Sequence, residues 1–310
     1  MFPGQGSQAV GMGKDLAEAD PGIAKLFDQA DEILGRDLKR IIFEGPEEAL
    51  KETSNTQPAL FVVNVAAASM IRSGAWAEEP DFLAGHSLGE YCALHEAGVF
   101  SFEDGLKLVD ARAKAMAEAA REQPGSMAAI LGLEDSLIDA ACERASVHPL
   151  TVQAANYNSP GQVVISGHSA AVEKAAEYCR EAGAAKCIML PVSGAFHSSL
   201  MKGAGSRLEN AFSKVAWNPA RKPVVSNING LPYGDLDSIR KGLVAQVSGP
   251  VRWTSCMRTL LDKGADRFVE VGPGRVLQGL MKKIEKSAAC FGAGDLASIK
   301  KGPPWLTQAS

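Results

Sequence analysis

Residues 83–90 read Leu-Ala-Gly-His-Ser-Leu-Gly-Glu, and the fold turns on them. Upstream lies a short apolar stretch, Phe82-Leu83-Ala84, and downstream a helix-permissive run, Leu88 to Ala97, closed by Gly98. The pattern predicts strand, tight turn and helix, with Ser87 at the apex. Gly85 and Gly89 complete Gly-x-Ser-x-Gly, the nucleophile-elbow pattern, in which a Cβ at either glycine would crowd the sharp turn. The same geometry sets Ser87 at a helix N-terminus, where free N–H groups and the helix dipole favour developing negative charge. The competing reading is a glycine-rich turn that happens to carry a serine.

Outward from the elbow, Pro58 near its start and Gly74 just past its end bracket residues 59–73 as a buried helix. A strand at 81–85, a helix at 88–97 and a helix from Phe102 to Ala120 follow. The next stretch differs: Met127–Leu133 as strand, Glu134–Arg144 as helix, then strands Leu150–Asn156 and Gln162–Ser166 joined by the turn Asn158-Ser159-Pro160-Gly161. Ala170–Ala182 reads as helix and Lys186–Leu190 as strand. This β-α-β-β-α-β order is the ferredoxin-like arrangement and marks residues 123–193 as an inserted subdomain. Residues 1–122 and 194–287 then form a discontinuous large α/β domain. In it Phe196–Val215 is mostly helical, Pro223–Ile228 is strand, and Asp237–Gln246 and Thr254–Lys263 are helical. Arg267–Val271 is strand and 275–286 the last helix. Strands alternating with helices imply a mostly parallel sheet covered on both faces. From Ala288 the chain is rich in Gly, Ser and Pro, and residues 288–310 are expected to fray as a flexible tail.

The chain has 310 residues, 46% of them apolar and 22% charged, enough for a sizeable core in two domains. A net charge of −4 offers no global attraction for nucleic acid or an anionic membrane. The longest apolar run, Ala59–Ile71, is broken by Asn64 and Ser69 and is too short to span a bilayer. The start, Met-Phe-Pro-Gly-Gln-Gly, has no signal-peptide pattern. Cysteines 92, 142, 179, 187, 256 and 290 show no metal-ligand spacing, so no metal is expected, and reduced thiols suggest a cytosolic location.

A nucleophilic serine needs a base. Of five histidines, His86 adjoins Ser87 and His95 lies two helical turns on. His148 and His168 sit in loops of the insertion. His197 follows Gly194-Ala195-Phe196 at the junction back to the large domain and ranks first. Taken singly, each histidine is more often structural. Arg112, on an apolar-rich helix, is either a structural salt bridge or a clamp for a substrate carboxylate. The turn Phe2-Pro3-Gly4-Gln5-Gly6 is a weak dinucleotide fingerprint; it offers instead a backbone N–H for an oxyanion, or is a plain loop.

FPGQGSQ at 2–8, TQPAL at 56–60, GHSLGEY at 85–91, NSPGQVVISG at 158–167, GAFHSSLM at 194–201, PVRW at 250–253 and EVGPGRVL at 270–277 together resemble the malonyl-CoA:acyl carrier protein transacylases of bacterial fatty acid synthesis. The resemblance runs from residue 2 to about 285. It implies a hydrolase-like α/β domain with an inserted ferredoxin-like subdomain, malonyl-CoA as substrate without a cofactor, acyl carrier protein as partner, and a monomer. It implies Ser87 as nucleophile, His197 as base and Gln246 as the residue whose carbonyl orients the histidine. The backbone N–H groups of Gln5 and Leu88 would form the oxyanion hole, and Arg112 would hold the malonyl carboxylate. Phe196 matches a specificity aromatic, and Asn156 lies near a cleft-lining motif. Lys186, Lys202 and Arg207 flank the presumed cleft and read as ordinary surface charges. In the family an apolar strand precedes Phe-Pro-Gly-Gln-Gly, so a chain starting at Met1-Phe2 either begins upstream or lacks that strand, which would unsettle Gln5. Other readings are a serine hydrolase or thioesterase using the same elbow, and a non-catalytic module that binds carrier protein.

Overall fold

The computed structural model describes residues 1–76 and 78–306. Helices α1 (Lys14–Ala19), α2 (Pro21–Leu34), α3 (Leu38–Glu44), α4 (Glu47–Lys51) and α5 (Thr53–Met70) precede strand β1 (Leu83–Ala84). Then come α6 (Gly89–Glu96), α7 (Phe102–Glu122), β2 (Ser126–Leu131), α8 (Asp135–Ala145), β3 (Val152–Ser159), β4 (Gln162–Gly167), α9 (Ser169–Glu181) and β5 (Lys186–Met189). The chain continues through a 3-10 turn at Ser199–Met201, α10 (Lys202–Phe212), β6 (Val224–Val225), α11 (Leu236–Ser248) and α12 (Trp253–Asp262). It closes with β7 (Arg267–Val271), α13 (Val276–Ile284), β8 (Ala289–Ala293) and α14 (Leu296–Lys301).

Two compact units result. The first holds Met1–Ala113, Val215–Val225 and Leu260–Ser310. Its strands pair in parallel, β1 with β6 and β7 with β8. Met1 and Phe2 lie between the pairs: the Met1 nitrogen donates to the Val269 carbonyl and Val271 N–H to the Met1 carbonyl. On the other side, Phe2 N–H donates to the Ala84 carbonyl and His86 N–H to the Phe2 carbonyl. Met1 and Phe2 thus bond to both strand pairs, and Gln5 follows directly from them. Helix α5 is buried on nearly every side from Thr53 to Ala68, as an all-round apolar helix must be. Its Asn64 Nδ2 donates to the Pro3 carbonyl. Pro58, read as the start of this helix, is its sixth residue, because the helix begins earlier, at Thr53.

The second unit holds Lys114–Lys214 and Ser226–Thr259, wider than the insertion read at 123–193. Its four-stranded antiparallel sheet has the order β3-β4-β2-β5. Helices α8 and α9 cover one face through Ile138, Cys142, Val172 and Cys179, which pack on Ile130, Val152, Val163 and Ile165. That is the ferredoxin-like arrangement expected. The expected helix over Phe196–Val215 is shorter: residues 196–198 are irregular and α10 starts only at Lys202.

The frayed tail is not what the structure shows through Lys301. β8 adds a full parallel strand to β7, with register Arg267↔Ala289 to Val271↔Ala293. Asp295 caps α14 in a capping box, Trp76 Nε1 donates to the Ile299 carbonyl, and Leu296 N–H donates to Asp15. Glycine and serine here serve strand and cap rather than flexibility. Residues 307–310 lie outside the described residues.

Candidate active site

The elbow is built by close approach. A Cβ on Gly85 would lie 1.9 Å from the Gly89 carbonyl, and one on Gly89 would lie 2.1 Å from the Phe2 carbonyl oxygen, so only glycine fits at either position. Between them Ser87 takes φ 51°, the left-handed region that a side chain adopts only when its surroundings force it. Leu88 is buried at the N-terminal edge of α6, and Gln5 sits exposed in the turn that Phe2 fastens to the elbow.

Arg112, on α7, is one of the largest fully buried side chains, 1% exposed. Its Nη2 donates to Ser87 Oγ at 3.0 Å and its Nη1 to Gln57 Oε1 at 2.5 Å. The guanidinium carbon stands 5.6 Å from the Tyr91 ring centre. Burial lowers the Arg112 pKa, while Tyr91 and the buried carboxylate of Glu90 act to raise it. An arginine still carries its charge in such surroundings. The result is a desolvated cation against a serine hydroxyl, an arrangement that can receive an anionic group.

In the second unit His197 takes φ 58°. Ser87 and His197 are the two non-glycine residues with left-handed φ among those described. His197 Nδ1 lies 2.8 Å from the Gln246 carbonyl oxygen. A carbonyl only accepts, so Nδ1 carries a proton, and the neutral form of such a ring has its lone pair on Nε2, the arrangement a general base needs. The surrounding loop is held by amides and hydroxyls: Gln153 Nε2 donates to the His197 carbonyl at 3.3 Å, and Gln153 Oε1 accepts from Ser199 N–H at 3.1 Å. Ser198 Oγ donates to the Ala195 carbonyl at 2.6 Å. Gln246 is fully buried and its side chain donates to Asn227. Phe196 is buried beside His197, and Asn156 sits in β3 at a register shift, bridged in parallel to Val251. The structure therefore joins Ser87 to Arg112, and His197 to Gln246; it gives Asn156 a place in the sheet.

Comparison with known proteins adds the family. The model of the acyl transferase domain matches residues 1–299. The malonyl CoA-acyl carrier protein transacylase of Escherichia coli strain K12 is 44% identical over 284 residues, covering 92% of this chain and 91% of its own. Among solved structures, the malonyl CoA-acyl carrier protein transacylase of Coxiella burnetii superposes with a TM-score of 0.95 at 37% identity, covering 99% of this chain and 96% of that one. A malonyl-transacylase solved in complex with its type II PKS acyl-carrier protein superposes with a TM-score of 0.92 at 41% identity, covering 96% of each chain. The chain belongs to the malonyl CoA-acyl carrier protein transacylase family.

Within this transacylase chain two of the other histidines, His95 and His168, have structural settings. His95 Nδ1 pairs with the Phe100 carbonyl and its ring packs against Phe61 and Phe102; burial lowers its pKa. His168 Nδ1 accepts from Thr151 N–H. Sequence reasoning missed Gln57, Gln153 and Asn227; the one available signal was Gln57 standing in TQPAL, a motif quoted without a role for that residue. Among the described residues no cluster of His, Cys, Asp or Glu could hold a metal ion, and no helix is long and apolar enough to cross a membrane. All six cysteines are free thiols. Burial pushes Cys92, one turn past the elbow, up to about 12.

Proposed function

We propose that this transacylase moves the malonyl group from malonyl-CoA to the phosphopantetheine thiol of acyl carrier protein through a malonyl ester on Ser87. The observation that carries the reading is the buried Arg112 guanidinium bonded to Ser87 Oγ. A nucleophile beside a desolvated cation suits an acyl group with a free carboxylate at its far end. Ser87 Oγ attacks the thioester carbonyl while His197 takes its proton; the backbone N–H groups of Gln5 and Leu88 receive the oxyanion. Collapse breaks the C–S bond, and His197 returns the proton to the leaving coenzyme A thiol. The carrier thiol then attacks the ester, giving its proton to His197, which passes it to Ser87 Oγ. Gln246 keeps the imidazole in one tautomer throughout, and Phe196 and Asn156 bear on which acyl group is accepted.

The reading includes the insertion at 123–193 as a subdomain, a monomer, no cofactor, and a cytoplasmic location in keeping with six free thiols. Mass spectrometry after mixing with malonyl-CoA tests it. A malonyl adduct on Ser87 is expected, absent from Ser87→Ala and discharged by carrier protein. No adduct, or discharge to water at the same rate without carrier, sinks it.

A further inference from the structure

The motif Thr56-Gln57-Pro58 has so far no role in the chemistry. A proline has no N–H, so the carbonyl four residues earlier in a helix loses its partner. Pro58 lies inside α5, and the carbonyl it frees is that of Ser54. Arg36 takes it: Nη2 donates to the Ser54 carbonyl at 2.7 Å and to Asp110 Oδ1 at 2.9 Å. Asp110 stands on α7, two residues before Arg112. One turn along α5 from Ser54, the buried Gln57 accepts from Arg112 Nη1. Helices α5 and α7 are thus tied twice at the level of Arg112, once directly and once through Arg36. The direct tie is a neutral amide oxygen. It fixes one edge of the guanidinium without cancelling the charge that an incoming carboxylate must meet.

We propose that Gln57 is the positioning residue for Arg112, and that Arg36, seated on the carbonyl freed by Pro58, holds the two helices in the register this contact needs. Together they govern selectivity for acyl groups with a free carboxylate over those without. This rests on the reading that Arg112 receives the malonyl carboxylate. Acylation of Ser87 by malonyl-CoA and by acetyl-CoA is measured in the unaltered enzyme, Gln57→Leu, Gln57→Glu, Arg36→Met and Arg36→Lys. Gln57→Leu is expected to raise the malonyl-CoA KM and to lower the malonyl-to-acetyl ratio of kcat/KM about 10-fold, the scale of one lost bond to a charged group. Gln57→Glu lowers the ratio too, because its carboxylate competes for the cation. Arg36→Met shifts the ratio in the same direction, and Arg36→Lys restores it. A merely structural loss lowers both substrates alike and leaves the ratio unmoved. Should Gln57→Leu fail to fold, the two variants of the partly exposed Arg36 carry the test. An unchanged ratio in Arg36→Met and in every folded Gln57 variant, with the malonyl adduct intact on the unaltered enzyme, overturns the positioning role alone. No adduct on the unaltered enzyme overturns the underlying reading, and this inference with it.

Discussion

At the scale of single residues, backbone strain and buried charge select the same few positions. A left-handed backbone costs an ordinary side chain about 1–2 kcal/mol, and Ser87 and His197 both bear it. Surroundings that impose such a conformation do so by over-determining it, here through Gly85 and Gly89 on one side and through Gln153 and Ser198 on the other. Arg112 bears a different cost, desolvation, offset by Gln57, Ser87 Oγ and the Tyr91 face. Replacing it by alanine removes the cation that the proposed reading sets against the malonyl carboxylate. Arg112→Ala is therefore expected to lower malonyl kcat/KM about 100-fold, the upper range for a bond to a charged group, while acetyl kcat/KM falls much less. Steady-state kinetics with both thioesters checks this; an unchanged ratio removes the clamp role. Ser87, His197 and Arg112 stood out in the sequence through the elbow pattern and the family resemblance, which proposes their roles; residue type alone left a structural histidine and a structural arginine open. Gln57, Gln153 and Asn227 were not, since an amide acquires its role only from burial and from the partner that folding brings to it.

At the scale of elements, the ferredoxin-like insertion was readable because its strands alternate with amphipathic helices and its turns carry Asn, Ser, Pro and Gly. The large-domain strands were harder. The run read at 223–228 forms strand only at Val224–Val225, and the one read at 81–85 only at Leu83–Ala84, with Gly85 bridged to Phe2. Their ladders are short, and the flanking residues leave the sheet to build turns. Pro58 misled because proline usually opens a helix; here Arg36 compensates the carbonyl it frees, so the helix runs through it. The tail misled for the opposite reason: small polar residues were read as flexibility when Asp295 and Ser298 form a reciprocal cap. Asp295→Ala is expected to cost about 1 kcal/mol, as loss of a helix cap does. In urea the midpoint should fall with no change in slope. An unaltered midpoint would mean that α14 adds nothing to the stability of the first unit.

For the whole molecule, the proposed chemistry is divided between the two units. Ser87, Arg112, Gln5 and Leu88 belong to the first, and His197, Gln246, Phe196 and Asn156 to the second. Each unit presents its own prepared fragment: a strained serine bonded to a buried cation, and a strained histidine with its tautomer set by a carbonyl. Neither fragment performs acyl transfer alone, because an unassisted serine hydroxyl is a poor nucleophile and an imidazole without a nucleophile has nothing to deprotonate. Serving one reaction has a kinetic signature. Residues that act on the same step are grossly non-additive, so removing the second after the first costs little more. Single-turnover malonyl transfer is expected to fall at least about 100-fold in His197→Ala, the lower range for general acid–base catalysis, and further in Ser87→Ala. The double variant should be no slower than Ser87→Ala alone. If instead the two losses multiply, the residues act in separate steps, and the Ser87–His197 pair is the wrong account of how this chain activates its nucleophile.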